Sequence, residues 1–163
     1  MNLEPLFHAP FAVQIHVATV VPAAFLGAFL LAARKGTPAH RMLGKIWLGL
    51  MVASALSSFF IHDLRMVGPF SPIHLISIYV LWSATVVYRS ARAGRIAEHR
   101  RAVTGLYLGG IVGAGVFTLL PRRLMGQIFL QDLTGMLMLG LIVGTLLLGF
   151  LSVRQLNRRM VSR

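Results

Sequence analysis

Residues 11–33 read FAVQIHVATVVPAAFLGAFLLAA, with Arg34-Lys35-Gly36 immediately after. These 23 residues contain no Asp, Glu, Lys or Arg. At about 1.5 Å per residue, a helix of that length crosses a hydrocarbon core of about 30 Å. Four further apolar runs follow at about 42–62, 72–88, 102–120 and 133–153. The chain is 56% hydrophobic and has four acidic side chains, too few polar groups to clothe a soluble domain of 163 residues. The expected fold is therefore an all-α integral membrane protein, a single membrane domain over 1–163.

Charge sets the orientation. Arg34, Lys35, Arg41 and Lys45 flank the first connection, and Arg89, Arg92, Arg95, Arg100 and Arg101 the third. Arg154, Arg158, Arg159 and Arg163 lie in the C-terminal tail. If the spans alternate, these thirteen of the sixteen basic residues share one side, and only Arg65, Arg122 and Arg123 face the other. The positive-inside rule then predicts a multi-pass protein of the bacterial inner membrane, with the N-terminus outside and the C-terminus in the cytoplasm. The net charge of +12 is thus accounted for by topology and by attraction to anionic lipids at the cytoplasmic face, and no nucleic-acid partner is expected. The first run is too long for a secretory h-region, and Glu4 precedes it where a basic n-region would stand. The chain has no cysteine, so any cofactor must be held by His, Met, carboxylate or backbone.

Thr37-Pro38-Ala39-His40 offers a Thr N-cap and a Pro at the first helical position, and Ser71-Pro72-Ile73-His74 repeats the arrangement. Pro22 should kink the first span, and Pro121 closes the fourth. A longer repeat underlies the short one. Ala33-Arg34-Lys35-Gly36 then His40-Arg41 resembles Ala91-Arg92-Ala93-Gly94 then His99-Arg100, and Ile46-Trp47-Leu48-Gly49 resembles Leu106-Tyr107-Leu108-Gly109. His16 precedes His40 by 24 residues, and His74 precedes His99 by 25. The reading is a four-helix transmembrane bundle made of two repeated hairpins, 11–62 and 72–120, with a fifth transmembrane helix appended. Two hairpins of one orientation imply a pseudo-two-fold axis along the membrane normal.

Ionisable residues inside a membrane are costly and mark functional sites by default. The topology puts His16 and His74 in the outer half, and His40 and His99 near the inner surface. Two histidine pairs on opposite sides of a four-helix bundle are the arrangement needed to hold b-type haem, one or two per chain. From His40, the positions Gly44, Trp47, Met51, Ser54, Ser58 and His62 fall on one stripe. Thr19, Ala23 and Gly27 share a face with His16, and Gly110, Gly113 and Ala114 with His99. Small residues there leave room for a flat macrocycle and equally suit close helix packing. A histidine in the first turn of a helix faces the positive end of the macrodipole, which favours the neutral, metal-ligating imidazole. Against this stands the simpler role of a boundary histidine as an interfacial anchor. His62 and Asp63, with His16 and His74, form an alternative zinc or copper set. Gly105, Gly109 and Gly113, and Gly140 with Gly144, have the spacing of packing surfaces and leave room for a homo-oligomer. No Ser/His/Asp constellation, phosphate loop or HExxH helix is present.

The run His16, Gly27, Lys35-Gly36, His40-Arg41-Met42-Leu43-Gly44, Phe70-Ser71-Pro72-Ile73-His74 and Glu98-His99-Arg100-Arg101 resembles an uncharacterised bacterial membrane-protein family, catalogued as a domain of unknown function. The resemblance implies a polytopic inner-membrane protein and no established activity. By architecture, a histidine on each of four successive helices also resembles the diheme transmembrane b-type cytochromes. That likeness implies that His16 and His74 hold an outer haem, that His40 and His99 hold an inner one, and that quinol or another small reductant supplies electrons. His40 and His99 lie at helix ends, which makes the outer pair the stronger expectation. Two readings of other classes stay open: a small permease or ion-handling protein with a histidine-lined pathway, and a non-catalytic membrane subunit.

Overall fold

The computed structural model describes residues 4–61 and 72–118, together with 133, 135–137, 139–141 and 143–144. Every regular element among the described residues is helical. A short turn of helix, α1 (Glu4–Phe7), leads into α2 (Phe11–Ala32), α3 (Pro38–Ser58), α4 (Pro72–Arg92) and α5 (Ile96–Leu106). α5 continues as a π-helical segment, Tyr107–Gly113, and ends in α6 (Ala114–Thr118).

One described helix, Phe11–Ala32, is long and apolar enough by itself to cross a membrane. It runs unbroken through Pro22, which stands inside it. The other helices depart from the expected spans at their ends. α3 begins at Pro38, four residues before the apolar run, because Thr37 caps it: the His40 amide donates to Thr37 Oγ1 at 3.0 Å. It stops at Ser58, where Phe59 and Phe60 turn, and not at 62. α4 runs on to Arg92, and α5 starts at Ile96, so both carry basic turns beyond the apolar stretch. Ser71, His62 and Asp63 lie outside the described residues, as does most of the expected fifth span.

The helices pack in chain order, α2 against α3, α3 against α4 and α4 against α5, with the π-helical segment reaching back to α2 and α4. The core holds Ala23, Leu30, Trp47, Met51, Ala55, Val80, Val87 and Leu106. The stripe read from His40 is the buried face of α3: Trp47, Met51, Ser54 and Ser58 are all buried. Of the stripe read from His99, Gly110 is buried and Ala114 lines an interior cavity, while Gly113 is exposed. The cause is the seven-residue π-helical segment, whose wider turn breaks a register counted at α-helical pitch.

Both hairpin turns contain a glycine in the left-handed region, Gly36 at φ 80° and Gly94 at φ 70°, and these two are matched in the sequence repeat. Each follows a helix C-terminus, where an L side chain in that conformation is strained. Gly36→Ala and Gly94→Ala should each cost about 1–2 kcal/mol. Nothing lies within 4 Å of a Cβ built at either position, so the whole loss would be backbone strain. Thermal unfolding in detergent measures it, and an unchanged midpoint in both variants would contradict it.

The glycine spacing on α5 works differently from a helix-to-helix seam. A Cβ at Gly109 would stand 2.9 Å from Tyr79 Cε1, and one at Gly105 would stand 3.4 Å from the Tyr79 hydroxyl. These two glycines make room for one ring on α4. Gly113 meets only the Leu108 carbonyl of its own helix.

Candidate functional site

The four histidines divide between two ends of the bundle, and hydrogen bonds decide what each ring can do. A backbone carbonyl only accepts, so the ring nitrogen facing one carries the proton. His16 Nδ1 faces the Ser54 carbonyl at 2.9 Å, with the Ser54 and Ser57 hydroxyls at 3.3 and 3.4 Å. His99 Nδ1 donates to the Val87 carbonyl at 3.1 Å. In both rings Nε2 is left as the lone-pair nitrogen, the arrangement a metal-ligating histidine ordinarily shows. His74 is the reverse case: its Nε2 faces the Phe59 carbonyl at 3.3 Å, and its ring tilts against the Phe59 ring at 5.7 Å between centroids.

At one end, His16 lines a cavity of about 50 Å³ with Ser54, Ser58, Ser77, Gly110 and Thr118. Ser58 and Ser77 hydrogen-bond to each other, and each also donates to a carbonyl of its own helix. Cofactor and ligand sites occupy about 300–1,000 Å³, so this cavity admits a few waters and not a macrocycle. The wall is closed at Gly110, where a Cβ would stand 3.0 Å from Val80 and 3.1 Å from Met51. His74 is buried but is not among the cavity-lining residues. As packed, the space beside His16 is smaller than a haem. The alternative metal set falls only partly within the described residues. His62 and Asp63 lie outside the described residues, and no group of three His, Asp or Glu side chains converges among those described.

At the other end lie His40 and His99, with Lys35 near enough to His40, and Arg100 near enough to Lys35, for their charges to be felt. His40 sits in the first turn of α3, its amide satisfied by Thr37 and its Nδ1 buried with no hydrogen-bond partner. Burial pushes the His40 pKa below the usual histidine value, and the nearby Lys35 and His99 push it the same way. Lys35 closes the C-terminus of α2, donating to the carbonyls of Leu30, Leu31 and Ala33 at 3.1, 2.6 and 2.7 Å. Burial, and then the charge of Arg100, lower its pKa. One turn from His40, a Cβ at Gly44 would meet nothing within 4 Å, so that face has open space beside the imidazole.

Because the folded His40 binds a proton less readily than an unfolded one, the unfolded chain holds more protons just below the ordinary histidine value. Protonation of His40 therefore has no effect on stability well above about pH 6.5, and it destabilises the fold as pH falls from there through the lowered folded value. Unfolding midpoints measured from pH 7.5 to 5 should drop, and the drop should shrink in His40→Gln.

Several contributors are not obvious from sequence. Trp47 Nε1 donates to the Ala23 carbonyl at 3.0 Å, and the Tyr107 hydroxyl donates to the next carbonyl, Ala24, at 3.1 Å. These aromatics occupy matched positions of the repeat, the one signal that could have singled them out. Lys35 and Arg100 read in sequence only as topology charges; the nearness of Lys35 to His40 and of Arg100 to Lys35 comes from the fold.

Residues 13–153 match the model of a family described as "Predicted membrane protein (DUF2306)". No curated protein and no solved structure matches the chain.

Proposed function

The chain belongs to the DUF2306 family of predicted membrane proteins, a domain of unknown function, and from that premise we propose that it carries electrons in the bacterial inner membrane on a b-type haem held by His40 and His99. In this reading the expected spans cross the bilayer, the N-terminus lies outside, and the basic turns that carry the histidine pair lie in the cytoplasm. The fifth span completes the bundle.

The observation that carries the reading is the buried, unpartnered Nδ1 of His40 beside a second imidazole whose Nδ1 is already committed. A buried polar nitrogen without a partner is costly and asks for an explanation. The donor set selects among ligands. Structural zinc sites take four protein ligands and catalytic ones three, whereas haem iron needs only two axial nitrogens. The surrounding cations oppose a bare dication and suit an anionic porphyrin. Bound haem supplies one-electron redox chemistry. The chain's own part is to present two neutral imidazoles, to fix the His99 tautomer through Val87, and to keep water from the buried His40 face.

A reduced-minus-oxidised absorption spectrum of protein purified under haem-replete conditions tests this. About one haem per chain is expected. A colourless protein would sink it, and two haems per chain would mean that the outer pair opens to take a second. The outer cavity favours a second reading, a histidine-lined pathway through His16, Ser54, Ser58 and Ser77. There His16→Ala would alter flux in vesicles with no spectral change.

A further inference from the structure

We propose that the cavity beside His16 binds a soft monovalent metal ion of the copper(I) and silver(I) class, held by the His16 imidazole and the Met51 thioether; as a function, this rests on the second reading above and gives its pathway a cargo. Both residues line the cavity, whose volume of about 50 Å³ has room for an ion and not for a cofactor. His16 Nδ1 is committed to the Ser54 carbonyl at 2.9 Å, so Nε2 is the nitrogen left to ligate. Met51 lies one turn before Ser54 on α3, and residues three apart on a helix are neighbours. The carbonyl that fixes the imidazole therefore stands next to the thioether along the helix. Met51 is buried, and a Cβ built at Gly110 would stand 3.1 Å from its methyl carbon, so the sulfur, one bond away, belongs to the same wall. Gly110 is part of the π-helical segment, a conformation frequent at functional sites.

The lining selects the ion. Among the described residues, none that lines the cavity is Asp, Glu, Lys or Arg. No fixed negative charge is there to offset a dication, and burying an uncompensated charge is costly. Zinc also takes three or four protein ligands, which one imidazole does not supply. A thioether selects copper(I), and imidazole suits copper as well, whereas calcium and magnesium take oxygens. The hydroxyl hydrogens of Ser58, Ser77 and Thr118 go to carbonyls of their own helices, so these side chains offer oxygen lone pairs to a cation and nothing to an anion. Most of the remaining wall is Val, Ile and Ala, which disfavours hard, strongly hydrated ions. A methionine that only filled the core could be exchanged for leucine at little cost, whereas a thioether ligand could not. That exchange is therefore the discriminating substitution.

The test uses the full chain in a neutral, chloride-free detergent solution, with the methionine methyls labelled with carbon-13 and silver(I) as the redox-stable probe. The first equivalent of silver should move the Met51 methyl resonance, which is identified by its loss in Met51→Leu. Losing a group that merely orients a metal ligand costs about 10–100-fold in affinity, so Met51→Leu and His16→Gln should each weaken silver binding by about tenfold or more. Met51→Leu should keep the fold, because the exchange conserves volume. His74→Leu, at a residue that does not line the cavity, should bind silver as wild type does. Excess zinc(II) should not displace the silver. In vesicles, with ascorbate holding copper as copper(I), uptake should be lost in Met51→Leu. A Met51 resonance that stays in place while other methionines move would overturn the site, as would Met51→Leu binding as tight as wild type or displacement by zinc. Binding without uptake would leave the site standing and overturn the pathway reading. Uptake that persists in Met51→Leu would leave the pathway and overturn the site.

Discussion

Replacing Gly27 with alanine is expected to destabilise the folded chain by roughly 1–3 kcal/mol, even though alanine is the better helix former. A Cβ at that position would stand 2.6 Å from Trp47 Nε1 and 2.7 Å from two carbons of the Tyr107 ring. Neither ring can step aside freely. Trp47 is tied to the Ala23 carbonyl and Tyr107 to the Ala24 carbonyl, so moving them sacrifices hydrogen bonds worth about 1 kcal/mol each. Alanine gains about 1 kcal/mol in helix propensity, while overpacking costs roughly 1–3 kcal/mol before those bonds are counted. The clash wins. Gly49 supplies the control, because nothing lies within 4 Å of a Cβ there and alanine should be neutral or mildly stabilising. Denaturant unfolding followed by helical circular dichroism measures both. In a Trp47→Phe background the Gly27→Ala cost should shrink, since the nearer of the two obstacles has gone. A Gly27→Ala protein as stable as wild type would show that α2 does not rest on these rings.

The same glycine shows what sequence could and could not supply. Helical periodicity placed Gly27 on the face of His16 and made it a small inward residue, and it is buried between aromatics from two other helices. Periodicity could not name those aromatics, because contact between residues 27 and 107 depends on how α5 folds back, and no local pattern encodes that. The face of α3 was legible for a related reason: Thr37 fixes where the helix starts, and an unbroken α-helix carries that register forward to Ser58. Beyond α5 the same arithmetic missed at Gly113, within the π-helical segment, and placed Gly110 and Ala114 inward. The histidines were legible as ionisable residues at span ends. Their relative merit was not, because it turns on which carbonyl each ring finds. His74 meets Phe59, one residue beyond α3, and His40 meets none. Among the basic residues, the charge count could not tell Lys35 apart, and the fold pins it to the last carbonyls of α2.

His40→Leu and His99→Leu should each abolish the haem spectrum, and His74→Leu should leave it in place. This contrast is the largest functional effect expected of the chain. In the proposed site a six-coordinate b-type iron would need both axial nitrogens, so loss of either His40 or His99 would remove a strong ligand and leave a site too weak to survive purification. The outer end offers no replacement. The cavity beside His16 is about 50 Å³, and the Gly110 wall is in contact with Val80 and Met51. His74 commits Nε2 to the Phe59 carbonyl, so its substitution removes a weak hydrogen bond and a ring contact, with a modest loss of stability and no loss of colour. Leucine at 40 also takes away the unpartnered Nδ1, so the apo protein should lose nothing in stability and gain at neutral pH as a buried polar atom disappears. That pairing of a lost cofactor with an unharmed or steadier fold separates ligation from a structural role. If His40→Leu unfolds the chain, the histidine is an anchor. If His74→Leu bleaches the protein while His40→Leu does not, the haem sits at the outer end, and the helices there part to receive it.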